Sequence, residues 1–243
     1  MTINRKVSKV LRIIDFVTGK DVNKNLLHLT VNEKNIKPIF KRDGYIVFTD
    51  LEEELFHLHI SSPIYLSQIV YEKMNNHFPN DEVIYIYLYP NESYPHKENL
   101  IWVQGKVDEE IPKDENIEYY LAFESNQMIK IAQEEIVKGQ NKVRLFVSNN
   151  KRIVGKSFWI TGGKNDEFCS VMRDLAKENF YQLKKVLKYD HYRGEKLYPT
   201  IKVKIDDNGC FNGFIPSKLC TKEEVFLVNN ENILVKKIQL NLI

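Results

Sequence analysis

The sequence predicts a mostly β protein made of two β-sandwich domains, prealbumin-like or immunoglobulin-like, the second with an inserted amphipathic helix. Polar turns at 41–44 and 206–209 end in glycine and lead into aromatic-bearing strands, because Asp-Gly and Asn-Gly tolerate the positive φ of a tight hairpin. Apolar and polar residues alternate in many short segments, most cleanly over 83–89. Aromatic residues are 12% of the 243-residue chain, and aromatic rings fit a pleated surface.

The first half of the chain reads as a series of short strands. Residues 64–74 suit either a helical face or a strand, and we favour a strand. Pro38 cannot donate to a ladder, so it belongs at the start of an edge segment. The predicted strands are 7–17, 27–31, 39–41, 45–49, 55–60 and 83–89. They form a sandwich domain over 1–90, followed by a polar, proline-bearing linker over 91–99.

The second domain, over 100–243, combines strands with one amphipathic helix at about 165–189. Asn165 can cap that helix, and lysines near its end suit the negative C-terminal pole. Its apolar residues recur near helical spacing, so an apolar stripe covers about a third of the helix circumference. Residues 128–137 could form a second, short helix. The strands are predicted at 100–107, 119–123, 142–147, 152–161, 200–205, 210–215, 225–228 and 233–242.

Charge and cysteine content exclude several classes of protein. Lys and Arg number 35 and Asp and Glu 33, so no bulk field attracts nucleic acid or an anionic membrane. Cys169, Cys210 and Cys220 have neither disulfide nor zinc-site spacing, and we expect three reduced thiols.

The N-terminal residues give no secretory signal. Basic residues interrupt the apolar ones between residues 1 and 15, and no later segment approaches the roughly 20 apolar residues of a membrane span. We therefore expect cytoplasmic synthesis and no membrane insertion.

No residue pattern identifies a catalytic, cofactor-binding or metal site. His57 and His59 share a strand face and could offer two imidazoles to a metal, with His28 as a third ligand, but a solvated polar face explains them equally. Asp206 and its neighbours faintly resemble a calcium loop, and the hairpin explains them too. We expect no enzyme activity and no cofactor.

An aromatic row is the candidate partner surface. Tyrosines alternate along the strand at 83–89, and further aromatic residues follow. Such a row could stack on sugars or meet a protein, whereas core or cross-strand packing is the alternative interpretation. The row consists of Tyr85, Tyr87, Tyr89, Tyr94 and Trp102.

Three motifs follow one another within residues 10–60: the turn at 15–22 (DFVTGKDV), the hairpin at 43–51 (DGYIVFTDL) and the strand at 56–60 (FHLHI). In this order they resemble the carboxypeptidase regulatory-like family of transthyretin-type β-sandwich modules. A second copy would begin at 104–107. The tyrosine-proline pairs before a second β unit are also similar to accessory proteins of phage tails and contractile injection systems.

The resemblance implies a non-catalytic module. We expect a structural or assembly protein that binds other proteins or itself as a homo-oligomer, in a phage-tail-like or contractile injection particle. A carbohydrate-binding module that uses the tyrosine row is the alternative, and we expect no nucleic-acid partner.

Overall fold

The computed structural model describes residues 7–34, 36–51, 55–73, 83–107, 117–148, 152–175 and 179–240. The chain divides into two compact units, residues 1–95 and 96–243. Strands hold 58% of the described residues and helices 3%, so the prediction of a mostly β protein is confirmed.

The first unit contains two sheets. A four-stranded sheet has the order β3-β4-β1-β7, in which β1 and β7 run parallel, and a three-stranded antiparallel sheet has the order β2-β5-β6. The ambiguous stretch at 64–74 contributes strand β6, as we favoured. The strands are β1 (Val7–Asp15), β2 (His28–Val31), β3 (Ile39–Phe40), β4 (Tyr45–Thr49), β5 (Leu55–Ser61), β6 (Gln68–Lys73) and β7 (Val83–Leu88).

The predicted glycine hairpin joins β3 to β4. Gly44 has φ +85°, a conformation that an L side chain rarely adopts. The Lys41 amide donates to the Tyr45 carbonyl across the turn at 2.8 Å. The turn therefore sets the register in which β4 pairs with both β3 and β1.

Apolar side chains from both sheets form the core of the first unit. Leu11 on β1 and Leu58 on β5 are fully buried. Phe48 on β4 contacts Phe56 on β5, with ring centroids 5.5 Å apart, so the two sheets touch through aromatic rings.

Part of the predicted linker belongs to the packing of the first unit. The Asn91 amide donates to the carbonyls of Pro63 and Tyr65 at 3.1 and 3.2 Å. Tyr94 is buried at 2% exposure. These residues therefore do not form an open connection, because proline and polar residues mark a turn equally well.

The described residues of the second unit form thirteen strands. They are β8 (Leu100–Lys106), β9 (Tyr119–Ser125), β10 (Ile129–Ile131), β11 (Glu135–Ile136), β12 (Lys142–Val147), β13 (Ser157–Thr161), β14 (Glu167–Asp174), β15 (Phe180–Leu183), β16 (His191–Tyr192), β17 (Lys196–Ile205), β18 (Cys210–Pro216), β19 (Cys220–Asn229) and β20 (Leu234–Gln239).

Six antiparallel strands of this unit close into a barrel. Their order is β10-β12-β15-β14-β13-β17, and pairing of Lys130 with Lys196 joins β10 back to β17. A barrel of this size is filled by its own side chains. Leu145, Phe158 and Val171 are buried in this core.

Strand β17 is shared between the barrel and a second group of strands. Its first half pairs with β13, residues 200–203 pair with β9, and residues 204–205 pair with β18. Strands β19 and β20 continue beyond β9, and β8 pairs with β18. Because β17 is ten residues long, it can pair with barrel strands at its beginning and with β9 and β18 further along.

The predicted helix at 165–189 is wrong. The stretch contains β14 and β15, and its residues 176–178 lie outside the described residues. Buried Cys169 and Val171 alternate with less buried neighbours, which is the period of a strand. The helical spacing counted residues from both strand faces. Antiparallel pairing of β14 with β13 and with β15 decides the outcome. The short helix at 128–137 is likewise replaced by β10 and β11.

Within the described ranges no helix is long and apolar enough to cross a membrane. Residues 1–6, which carry part of the basic N-terminal pattern, lie outside those ranges.

Candidate interaction surface

Most of the predicted aromatic row is core. Tyr87, Tyr89 and Tyr94 are only 6%, 6% and 2% exposed, so they cannot meet a partner. Phe16 packs against both Tyr87 and Tyr89, with ring centroids 6.3 and 5.0 Å away. The Tyr94 hydroxyl donates to Asp15 Oδ2 at 2.7 Å in a buried hydrogen bond. The core-packing interpretation holds for these three residues.

The other two aromatic residues of the row reach solvent. Tyr85 is half-buried on β7 of the first unit, opposite Arg12 of β1. Trp102 is 58% exposed on β8 of the second unit. The buried Tyr87, Tyr89 and Tyr94 therefore interrupt the predicted row.

The outer face of β5 and β6 is a different apolar surface. Leu55, Ile69 and Tyr71 are 61%, 48% and 63% exposed. Because side chains alternate along a strand, Phe56 and Leu58 point the other way and are buried. We define the β5–β6 outer face as Leu55, His57, His59, Ile69 and Tyr71.

Strand register brings these side chains together. His57 lies opposite Tyr71, and His59 lies opposite Ile69. Directly opposed residues of antiparallel strands have Cβ atoms about 5 Å apart. The rings of His57 and Tyr71 stack, with centroids 4.4 Å apart and planes 16° apart. The exposed rings are therefore held in a fixed orientation by their neighbours.

Strand β6 is the outermost strand of its sheet in the part of the chain that the structure describes. An outermost strand directs backbone N–H and C=O groups away from its own sheet. The beginning of β6 is fixed, since Gln68 Nε2 donates to the Tyr87 carbonyl at 2.7 Å and the Leu66 amide to the Tyr89 carbonyl at 2.9 Å. Strand β6 is therefore held by hydrogen bonds at its beginning, while Ile69 and Tyr71 on its outer face are exposed.

The histidine pair does not converge with His28. His28 lies opposite Ser61, whereas Thr30 is the residue opposite His59. Among the described residues, no group of three His, Cys, Asp or Glu side chains has the geometry to hold a metal ion.

The acidic residues at 206–209 serve the hairpin. Asp206 Oδ1 accepts hydrogen bonds from the amides of Asn208 and Cys210 at 2.9 and 2.8 Å. Gly209 takes φ +79°. A turn therefore accounts for this sequence without a bound ion.

A cleft of about 270 Å³ lies in the first unit, at the edges of β2 and β3. The described residues that line this cleft are apolar apart from Lys37. Among them no acidic side chain accompanies the lysine as an acid–base pair would require. The lining consists of Leu27, Leu29, Ile36, Lys37, Pro38 and Phe40.

No protein-family model matches the chain, and no characterised protein or solved structure is significantly similar to it.

Sequence reasoning missed the β5–β6 outer face and a buried ionic group in the barrel. The alternation at 55–60 predicted the strand, but a period of two does not say which face is covered. The ionic group joins Glu167, His191 and Glu195. His191 and Glu195 are four residues apart, but no local spacing connects them to Glu167, which lies 24 residues before His191.

Proposed function

We propose that this protein is a non-enzymatic structural or assembly component that binds an extended segment of another protein on the β5–β6 outer face. One observation carries the proposal: three large apolar side chains, Leu55, Ile69 and Tyr71, are exposed on one face of the sheet. Contiguous exposed apolar surface marks interaction sites on folded proteins.

The outermost position of β6 favours an extended partner. A peptide added beside β6 would satisfy outward backbone groups, and its side chains would pack on the exposed rings. The stacked His57 and Tyr71 limit the entropy lost on binding, since the ring of Tyr71 is already oriented. The surface offers stacking, dispersion and backbone hydrogen bonds, which suit binding.

We propose as the setting of this function a phage-tail-like or contractile injection particle, of which this protein would be one component. The resemblance of residues 10–60 to transthyretin-type modules, combined with the tyrosine-proline pairs at 89–90 and 94–95, supports this setting. The proposal also includes a sandwich arrangement for the two sheets of the first unit. Fold analogy alone does not fix function. Neighbouring genes for tail or baseplate proteins would support this setting, and their absence would count against it.

The carbohydrate alternative required an exposed tyrosine row. Burial of Tyr87, Tyr89 and Tyr94 removes that platform, so we do not pursue it.

A peptide-binding experiment tests the proposal. Random peptides displayed on phage are selected on the full-length chain, and an enriched peptide is titrated by calorimetry. We expect the double variant Ile69→Lys/Tyr71→Ser to weaken binding at least about tenfold, because it removes the two exposed anchors and adds a charge. The matched control is Met172→Ser, an exposed apolar residue on β14, which should bind as the wild type does.

Two outcomes would contradict the proposal. One is equal affinity of the peptide for the wild type and the double variant, with unfolding midpoints showing both folded. The other is a dimer, measured by light scattering, that the double variant abolishes, since a second copy would then be the occupant.

A further inference from the structure

A buried histidine bridges two buried carboxylates in the second unit. His191 on β16 is 0% exposed, Glu167 is 2% and Glu195 is 7% exposed. His191 Nδ1 lies 2.6 Å from Glu195 Oε2, and His191 Nε2 lies 3.0 Å from Glu167 Oε2. When both carboxyl groups are ionised, their oxygens only accept hydrogen bonds, so both ring nitrogens donate and the ring is an imidazolium. We call this group the Glu–His–Glu triad.

The triad ties the start of β14 to the stretch that precedes β17. Glu167 is the first residue of β14, and Glu195 directly precedes β17. Glu167 also accepts hydrogen bonds from the amides of Lys188 and Tyr189, at 2.7 and 3.2 Å. Glu195 accepts one from the amide of Tyr192 at 3.1 Å. Both carboxylates therefore hold the backbone around His191 as well as its ring.

The held segment closes one end of the barrel. Strands β11 and β16 pair as a two-stranded ribbon, with Ile136 opposite His191. The ribbon lies in the connections between β10 and β12 and between β15 and β17, whose ends meet at the same end of an antiparallel barrel. Ile136 and Leu187, from these connections, are 1% and 2% exposed within the barrel core. The ribbon is thus a cap over that core.

We infer that the Glu–His–Glu triad is a pH-sensitive latch that keeps the β11–β16 ribbon closed while His191 is doubly protonated and releases it when His191 loses a proton. Loss of either ring proton turns a donor into an acceptor that faces a carboxylate. Two acceptors in contact without water have no shared hydrogen and repel. Opening of the ribbon would let water reach both acceptors, the ring nitrogen and the carboxylate.

The direction of the pH response follows from the environment of His191. Burial acts to lower the pKa of His191, but the hydrogen bonds and charges of Glu167 and Glu195 outweigh it and hold the pKa above its ordinary 6.5. In an open ribbon the histidine returns to its ordinary value. The latch is therefore at full strength below pH 6.5 and weakens about tenfold per pH unit up to the raised pKa, above which it stays weak.

The other ionisable groups around the triad lie on β14 and on the ribbon with its flanks. Cys169 on β14 is buried, and burial followed by the nearby Glu167 charge raises the pKa of its thiol, so it stays neutral. The remaining groups of the ribbon and its flanks are exposed, where solvent screens them. They are Glu134, Glu135, Lys138, Lys188, Asp190 and Arg193.

Hydrogen exchange with mass spectrometry on the full chain tests the latch, after correction for the intrinsic pH dependence of exchange. Protection of the ribbon amides at 188–194 should fall between pH 6 and pH 9, by about tenfold for each pH unit that separates 6.5 from the raised pKa of His191, while amides of β13 in the barrel wall keep theirs. Ribbon protection that is independent of pH would overturn the inference. So would an equal loss of protection in β13, since the whole barrel would then be opening.

A histidine titration by NMR gives an independent measurement that needs no variant. His191 should titrate above 6.5, and a value at or below 6.5 would overturn the inference. In Glu195→Gln the amide can donate to a neutral ring, so the pH-dependent loss of ribbon protection should shrink at least about threefold. The control is His96→Gln, a 62% exposed histidine, which should keep the wild-type profile. An unchanged profile in Glu195→Gln would contradict the latch.

Discussion

Replacing Tyr87 by alanine distinguishes a core role from a surface role. Tyr87 is 6% exposed on β7 and makes an edge contact with Phe16, with ring centroids 6.3 Å apart. Removal of a buried aromatic ring leaves a cavity and costs about 3–5 kcal/mol of unfolding free energy. Tyr71→Ala is the matched control, because Tyr71 is 63% exposed and loses mainly its stack on His57, about 1 kcal/mol or less.

Urea unfolding followed by NMR suits this comparison. Both tryptophans, Trp102 and Trp159, lie in the second unit, so tryptophan fluorescence does not report on Tyr87. Methyl signals of the buried Leu11 report unfolding of the first unit. If Tyr87→Ala costs no more than Tyr71→Ala, the assignment of the tyrosine row to the core is refuted.

Three further predictions concern other contacts. Tyr94→Phe should lower the unfolding free energy of the first unit by about 1–3 kcal/mol, because it leaves the buried Asp15 carboxylate without that donor; an unchanged urea midpoint would contradict this. Gly213→Ala should cost about 1–3 kcal/mol in the second unit, since a Cβ there would lie 2.6 Å and 2.7 Å from side-chain carbons of β17 and β9; thermal unfolding measures it, and a neutral effect would show that the core yields. A thiol reagent should modify the exposed Cys210 in the native protein and Cys169 only on unfolding, because burial raises the pKa of Cys169; rapid native labelling at Cys169, mapped by peptide mass, would disagree.

Local patterns predicted the strands well. The Asp43-Gly44 turn was identifiable because a positive φ favours glycine, and Gly44 adopts it. The alternation over 55–60 fixed β5, with Phe56 and Leu58 on the buried side. Both signals act between near neighbours in sequence, and tertiary contacts reinforce them.

The helix at 165–189 failed because its signals were genuine but weaker than strand pairing. Spacings of three and four residues between Phe168, Val171 and Met172 are compatible with either structure over a short stretch. Pairing with β13, more than six residues away in the chain, buries Cys169 and Val171 on one face. Information of that kind is absent from a local window.

The candidate surface was beyond sequence reasoning for a similar reason. Tyr85, Tyr87 and Tyr89 alternate like an exposed row, but Phe16 and the residues around it cover the last two. Tyr71 was unremarkable in sequence and is 63% exposed because it points to the outer face of β5 and β6. Exposure depends on what covers a face, and the period of the pattern does not specify it.

Hydrogen exchange on the peptide complex is the most direct test of binding at β5 and β6. With the selected peptide bound, the account predicts slower exchange of the β6 amides, Gln68–Lys73, and unchanged exchange in the barrel strands. Protection that appears in another strand while β6 exchanges as in the free chain would contradict the account.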